Sequence, residues 1–88
     1  MKEKELIKIL KALANHRRVA ILKYLKRIGK ASVGEISQAI KLSFKATSKH
    51  LIILSNADIV EKEQISLTML YFLPKDKHPI VFKLLSII

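Results

Sequence analysis

The sequence predicts a mainly α-helical domain with one small β-hairpin, an α+β fold, and three observations support that reading. Gly and Pro together number only four in 88 residues, too little punctuation for an all-β design. Apolar residues recur at helical spacing from Leu6 to Leu54, and after Asp58 the pattern changes to two β-rich runs. Half of the residues are hydrophobic, so the chain is not the charge-dominated kind that stays disordered, and residues 1–88 are expected to form a single domain.

Leu6, Ile7, Ile9, Leu10, Leu13 and Ala14 share most of one face of a first helix, with Lys4, Lys8 and Lys11 opposite. Asn15 interrupts it and can cap a second helix, residues 16–28. The apolar stripe of that helix is Val19, Leu22, Leu25 and Ile28, widened by Ile21. Gly29 suits its C-terminal end, where Lys26, Arg27 and Lys30 meet the negative end of the helix dipole. Ser32-Val33-Gly34-Glu35 fits a capping box, and a short helix to Ile40 would bury Val33, Ile36 and Ile40.

Lys41-Leu42 is a tight link, after which Ser43 caps a fourth helix at about 44–56. Thr47, Leu51 and Leu54 form its inward line; Lys45, Ala46, Ser48, Lys49 and Ile52 form the outward one. Phe44, at the outer start of this helix, is expected to pack against the link, the other reading being contact with thymine methyls or a sugar edge. Two short helices joined by about three residues make a helix-turn-helix, whose second helix enters the DNA major groove. The β-rich runs 59–63 and 68–73 flank Gln64 to Leu67 as a hairpin, although no Asn-Gly or Asp-Gly marks its turn. Pro79 suits the first turn of a last helix, about 79–88, reached through the polar link Lys75-Asp76-Lys77. Apolar residues cover nearly the whole circumference of that helix, which requires a partner surface.

The formal net charge is +10 and the pI near 10.1. The first thirty residues carry ten Lys+Arg against two Glu, a net +8. Such a surplus on a small domain favours a polyanionic partner. The absence of cysteine excludes disulfides, thiolate metal sites and a cysteine nucleophile. The histidines stand apart at 16, 50 and 78, no paired acids or activated nucleophile occur, and Gly29 and Gly34 make no phosphate loop. An enzyme is therefore not expected, nor is any cofactor. No apolar run approaches the roughly 20 residues of a membrane helix, and lysines interrupt the apolar stretch that follows the N-terminus. The expectation is a cytoplasmic protein without a membrane partner.

From Leu6 to Leu73 the chain resembles the ArsR-like winged-helix transcription regulators. The residues that carry the resemblance are Leu13-Ala14-Asn15-His16-Arg17-Arg18-Val19-Ala20-Ile21-Leu22, Ser32 to Ile40, and Leu42-Ser43 with Ser48-Lys49-His50-Leu51-Ile52-Ile53-Leu54 and the strand entry Asp58-Ile59-Val60. The resemblance implies a dimeric repressor with a hairpin wing at about 59–73 and an interface made by the first and last helices. The interface residues would be Leu6, Ile9, Leu10 and Leu13 with Ile80, Val81, Leu84, Leu85 and Ile88. The DNA contacts it implies fall on Ser43, Lys45, Ser48, Lys49 and His50.

Lys45 and Lys49, four apart on one face, can reach phosphates or guanine edges, and Ser43 can join the helix N-terminal amides at a phosphate. Arg17 and Arg18 would add backbone affinity from the second helix. His50 borders the inward line, where a structural hydrogen bond and a phosphate contact are both open to it. The chain departs from its relatives in several places. Cysteine metal ligands are missing, and Ala31 to Glu35 offers no soft ligand where relatives hold them. Asp76-Lys77-His78 looks like half of a zinc site without the other half, so no metal is expected and the effector is unknown. Glu61 and Glu63 put acid on the wing. The expected function is that of a sequence-specific homodimeric regulator of double-stranded DNA. The alternative is a winged-helix module for protein–protein contact in a transcription or chromatin assembly.

Overall fold

In the computed structural model, which describes residues 2–88, the elements follow in the order α1 Glu3–Leu13, α2 His16–Ile28, β1 Lys30–Ser32, α3 Val33–Ile40, α4 Phe44–Asn56, β2 Glu61–Ile65, β3 Thr68–Phe72 and α5 Pro79–Ile87. Each helix from α2 onward begins at a side-chain cap that satisfies an otherwise orphaned amide. The Asn15 side chain accepts from the Arg18 N–H at 3.0 Å, and Ser43 Oγ accepts from the Ala46 N–H at 3.1 Å. At α3 the capping box is complete: Ser32 Oγ accepts from the Glu35 N–H, and Glu35 Oε1 accepts from the Ser32 N–H. These bonds from Ser32 hold the Glu35 carboxyl below the usual carboxylate range.

Helices α3 and α4 both end in Schellman closures. The Leu42 N–H reaches Ser37 O and the Lys41 N–H reaches Gln38 O; likewise the Ile59 N–H reaches Leu54 O and the Asp58 N–H reaches Ser55 O. Such closures place one residue in the left-handed region, here Lys41 at φ 56° and Asp58 at φ 58°. Ile59, expected to open the first strand, is instead the closing residue of α4. Its amide is committed to Leu54, and β2 begins at Glu61. The hairpin turn shortens to Ser66-Leu67, with Ser66 at φ 59° in the position usually given to glycine.

The sheet has three strands rather than two, in the order β1-β3-β2, all antiparallel. Lys30, Ala31 and Ser32 pair with Phe72, Tyr71 and Leu70. Their residue types carry no β signal, so this strand exists through tertiary pairing alone.

Helix α2 runs through the centre. Ile21, Leu22 and Leu25 are buried against Ile36 of α3 and Leu51 and Leu54 of α4, with Ile9 and Ala12 of α1, Val81 and Leu85 of α5, and Ala31 and Tyr71 of the sheet completing the core. Val19 is only half-buried and Ile28 stands 46% exposed, because Ile21 occupies the central position and the last turn of α2 projects beyond the core. The ammonium of Lys26 reaches across to Leu85 O at 2.5 Å, satisfying a C-terminal carbonyl of α5. That helix is thus not free all round. Val81 and Leu85 belong to the chain's own core, and its exposed apolar residues are Phe82 and Ile87.

The left-handed turn at Asp58 fixes where α4 stops and the wing begins. Asp58→Val is expected to cost about 1–2 kcal/mol, because a β-branched side chain clashes there, while Asp58→Gly should stay within about 1 kcal/mol of the parent. Urea denaturation followed by helical circular dichroism compares the two.

Candidate nucleic-acid interface

Helices α3 and α4 are joined through Lys41-Leu42-Ser43, and the caps at both ends of that link fix how α4 leaves the body. Thr47, Leu51 and Leu54 anchor α4 inward as expected. What it presents outward is Lys45 and Lys49, both exposed, with the half-buried Ser48 beside them. No acidic residue lies anywhere in α4, so its positive N-terminal end is unopposed along its own length. Ser43 is exposed at the cap; while its oxygen accepts from Ala46, its hydroxyl hydrogen can still be donated. Phe44 does not pack against the link. It is 62% exposed, and Ile52 is 51% exposed two turns further on.

Two residues expected on the DNA surface face each other instead. The Arg18 guanidinium donates from Nε to Ala12 O at 2.6 Å and from Nη2 to Lys11 O at 3.3 Å, filling carbonyls at the C-terminal end of α1. Its Nη1 lies 3.2 Å from His50 Nδ1 on α4. Guanidinium has no acceptor, so Nδ1 accepts and the imidazole proton sits on Nε2. Of the two roles open to His50, the structural hydrogen bond is the one seen. Arg18, partly buried and bonded through all three nitrogens, positions α4 rather than standing free for phosphate. Arg17 is exposed, with Nη1 donating to Ile40 O at 3.2 Å, the last carbonyl of α3. The sequence held a signal for this pair in the inward bias of His50, but nothing in it paired the two.

Burial, then the charges of Arg18 and Arg17, push the His50 imidazole below its ordinary range. Protonation then favours the unfolded chain, where the ordinary value applies. Stability is complete above about pH 6.5 and declines as pH falls from there toward the folded-state value. His50→Gln, which keeps a polar side chain without that titration, is expected to flatten this decline. Urea midpoints between pH 5 and 7.5 measure it, provided the parent and variant are compared in the same buffers.

On the wing, Glu63 is ion-paired with Lys30, and the same ammonium lies 5.0 Å from the Phe72 ring centroid. Glu61 and Lys62 are both exposed. The tip is apolar, with Leu67 96% and Ile65 52% exposed, a feature that sequence reasoning passed over as ordinary turn residues.

His78 Nδ1 accepts from the Ile80 N–H at 3.1 Å as the N-cap of α5. His78 of the Asp76-Lys77-His78 segment thus serves as a helix cap. That ring nitrogen is already used, and among the described residues no group of three or more His, Cys, Asp or Glu is placed to hold a metal ion. Nor, among the described residues, is any helix long and apolar enough to cross a membrane.

Comparison with known proteins returned no match among curated sequences. Solved structures do match. HlyU from Vibrio cholerae N16961 is 31% identical with a TM-score of 0.81, over 99% of this chain and 92% of that one. NolR from Sinorhizobium fredii is 27% identical, TM-score 0.81, over 96% and 80%. The homodimeric winged helix-turn-helix DNA-binding domain of Mb0332 from Mycobacterium bovis, a possible ArsR-family transcriptional regulator, is 26% identical, TM-score 0.81, over 96% and 74%. Residues 15–62, from the cap of α2 through the recognition helix into β2, match the family described as bacterial regulatory protein, arsR family. The chain belongs to that family and is a DNA-binding transcription regulator of winged helix-turn-helix architecture.

Proposed function

We propose that the protein is a homodimeric repressor that reads a two-fold related operator with α4 and acts by occupying it, in the cytoplasm and without a catalytic step. The observation that carries this reading is the outward face of α4: Lys45 and Lys49 exposed on an acid-free helix whose Ser43 cap leaves a donor at the N-terminal end. The lysines hold the backbone or guanine edges, Ser48 permits close approach, and Ser43 joins the amides of the first turn at a phosphate. Arg17, exposed near the end of α3, adds backbone affinity. Arg18 and His50 act at one remove, by holding α4 against α1.

Two recognition helices related by a dyad would address half-sites about 34 Å apart. The ordinary test is selection of bound duplexes from a random library, comparing parent with Lys45→Ala/Lys49→Ala. The parent should recover a palindrome. The double variant should lose affinity and show a salt slope shallower by about 2, one for each phosphate contact removed. Equal slopes would remove both lysines from the backbone contacts.

For the dimer, the surface left over by the core narrows the candidates. Ile9, Val81 and Leu85 are committed within the chain, and Leu13, Leu84 and Ile88 are partly buried against the same core. Leu6, Leu10, Ile80, Leu84 and Ile88 remain the patch through which α1 and α5 would meet a second copy, continued by the exposed Ile7 and Ile87. The homodimeric Mb0332 domain supports the pairing of two copies. Leu10→Glu places a charge on that patch at a position already 41% exposed; it should yield folded monomers by light scattering. A dimer persisting in that variant would move the interface elsewhere.

The apolar wing tip at Ile65 and Leu67 favours a second reading, contact with another protein of a transcription assembly. A library selection that yields no duplex at any salt would put that reading first.

A further inference from the structure

Phe44, Ser48 and Ile52 succeed one another at intervals of four and so form one line along α4, adjacent to the line of Lys45 and Lys49. The side chains at the two ends of the first line are 62% and 51% exposed, and the middle one is short and half-buried. Among the described residues Phe44 is left 62% exposed at the first helical position, where an exposed aromatic ring is of no use to the fold. The flanking lysines and the absence of acid from α4 fit a polyanion rather than a basic protein surface. In a major groove the only apolar group on any base edge is the thymine 5-methyl. The N-terminal residues of a recognition helix are the ones that reach base edges.

We infer that Phe44 is a specificity-determining residue that reads thymine methyl groups in the major groove, with Ile52 extending the same apolar line. The inference rests on the DNA-binding reading above and adds to it the chemistry that is read. Lys45 and Lys49 supply orientation and sequence-independent attraction, and Ser48 keeps the helix close enough for the ring to reach a methyl. Each half-site then carries thymine where Phe44 meets the base edges.

The test uses the full chain and the operator recovered by duplex selection, with deoxyuridine replacing thymidine one position at a time, which deletes the methyl and leaves base pairing intact. Binding is read by fluorescence anisotropy at one salt concentration, for the parent and for Phe44→Ala. The parent should lose affinity about four-fold for a methyl removed at the contacted thymine. Phe44→Ala should bind the unmodified operator more weakly by at least that factor and be indifferent to deoxyuridine at the same position. The substitution on the DNA tests the parent protein directly, so the result does not depend on how the variant folds. Parent binding insensitive to every replacement would overturn the inference while leaving sequence-specific DNA binding intact. So would Phe44→Ala with undiminished affinity or the parent's own methyl sensitivity, and the apolar line would then belong to a protein contact. Recovery of no operator at all would overturn the sequence-specific operator reading and this inference together.

Discussion

Arg18 holds three helices through one planar group. Its Nε and Nη2 fill carbonyls at the end of α1 and its Nη1 meets His50 on α4, while its backbone N–H donates to the Asn15 cap that starts α2. The carbonyls at a helix C-terminus have no partner within their own helix, so a donor fork placed there relieves an electrostatic cost and fixes an angle at the same time. A lysine would supply the charge without the geometry, since its donors radiate from a single nitrogen. The direction in which the recognition helix points therefore follows from a group that lies off its outer face. An apolar contact alone would leave that direction free to slide; three directional bonds do not.

The wing shows how local charge differs from apparent charge. Two glutamates in β2 look unfavourable for approach to a phosphate backbone. Glu63 is neutralised by Lys30 across the sheet, and Glu61 stands beside the exposed Lys62. What the hairpin offers is then a near-neutral stem with an apolar tip. Attraction to a polyanion is left to the helices: α1 and α2 carry eight of the seventeen Lys and Arg, and α4 adds Lys45 and Lys49.

The helices were legible because their signals are local. Asn15, Ser32 with Glu35, and Ser43 cap where their side-chain chemistry says they should, and Thr47, Leu51 and Leu54 point inward at helical spacing. Strand β1 was not legible, since Lys30-Ala31-Ser32 becomes a strand only through pairing with Phe72, Tyr71 and Leu70. The start of the wing was misplaced because Ile59 and Val60 have the side chains of a strand but are buried in the core, Ile59 with its amide closing α4. The outward lysines of the candidate site could be read from periodicity. The inward pairing of Arg18 with His50 could not, because it joins residues on different helices whose approach depends on the whole core. Phe44 was misjudged for the opposite reason: its residue type argued for burial, and it is left 62% exposed.

The ladder between β1 and β3 has a bearing on how the chain assembles. The contacts that order α1 to α4 lie largely between successive elements, whereas Lys30 must find Phe72 across α3, α4 and the whole hairpin. The entropy of closing so long a loop grows only slowly with its length, so it weighs little on equilibrium stability, yet it must be met before any hydrogen bond of the ladder forms. Completion of the sheet, like the seating of α5 against α2 through Lys26 and Leu85, joins elements far apart in sequence, in contrast to the contacts among α1 to α4.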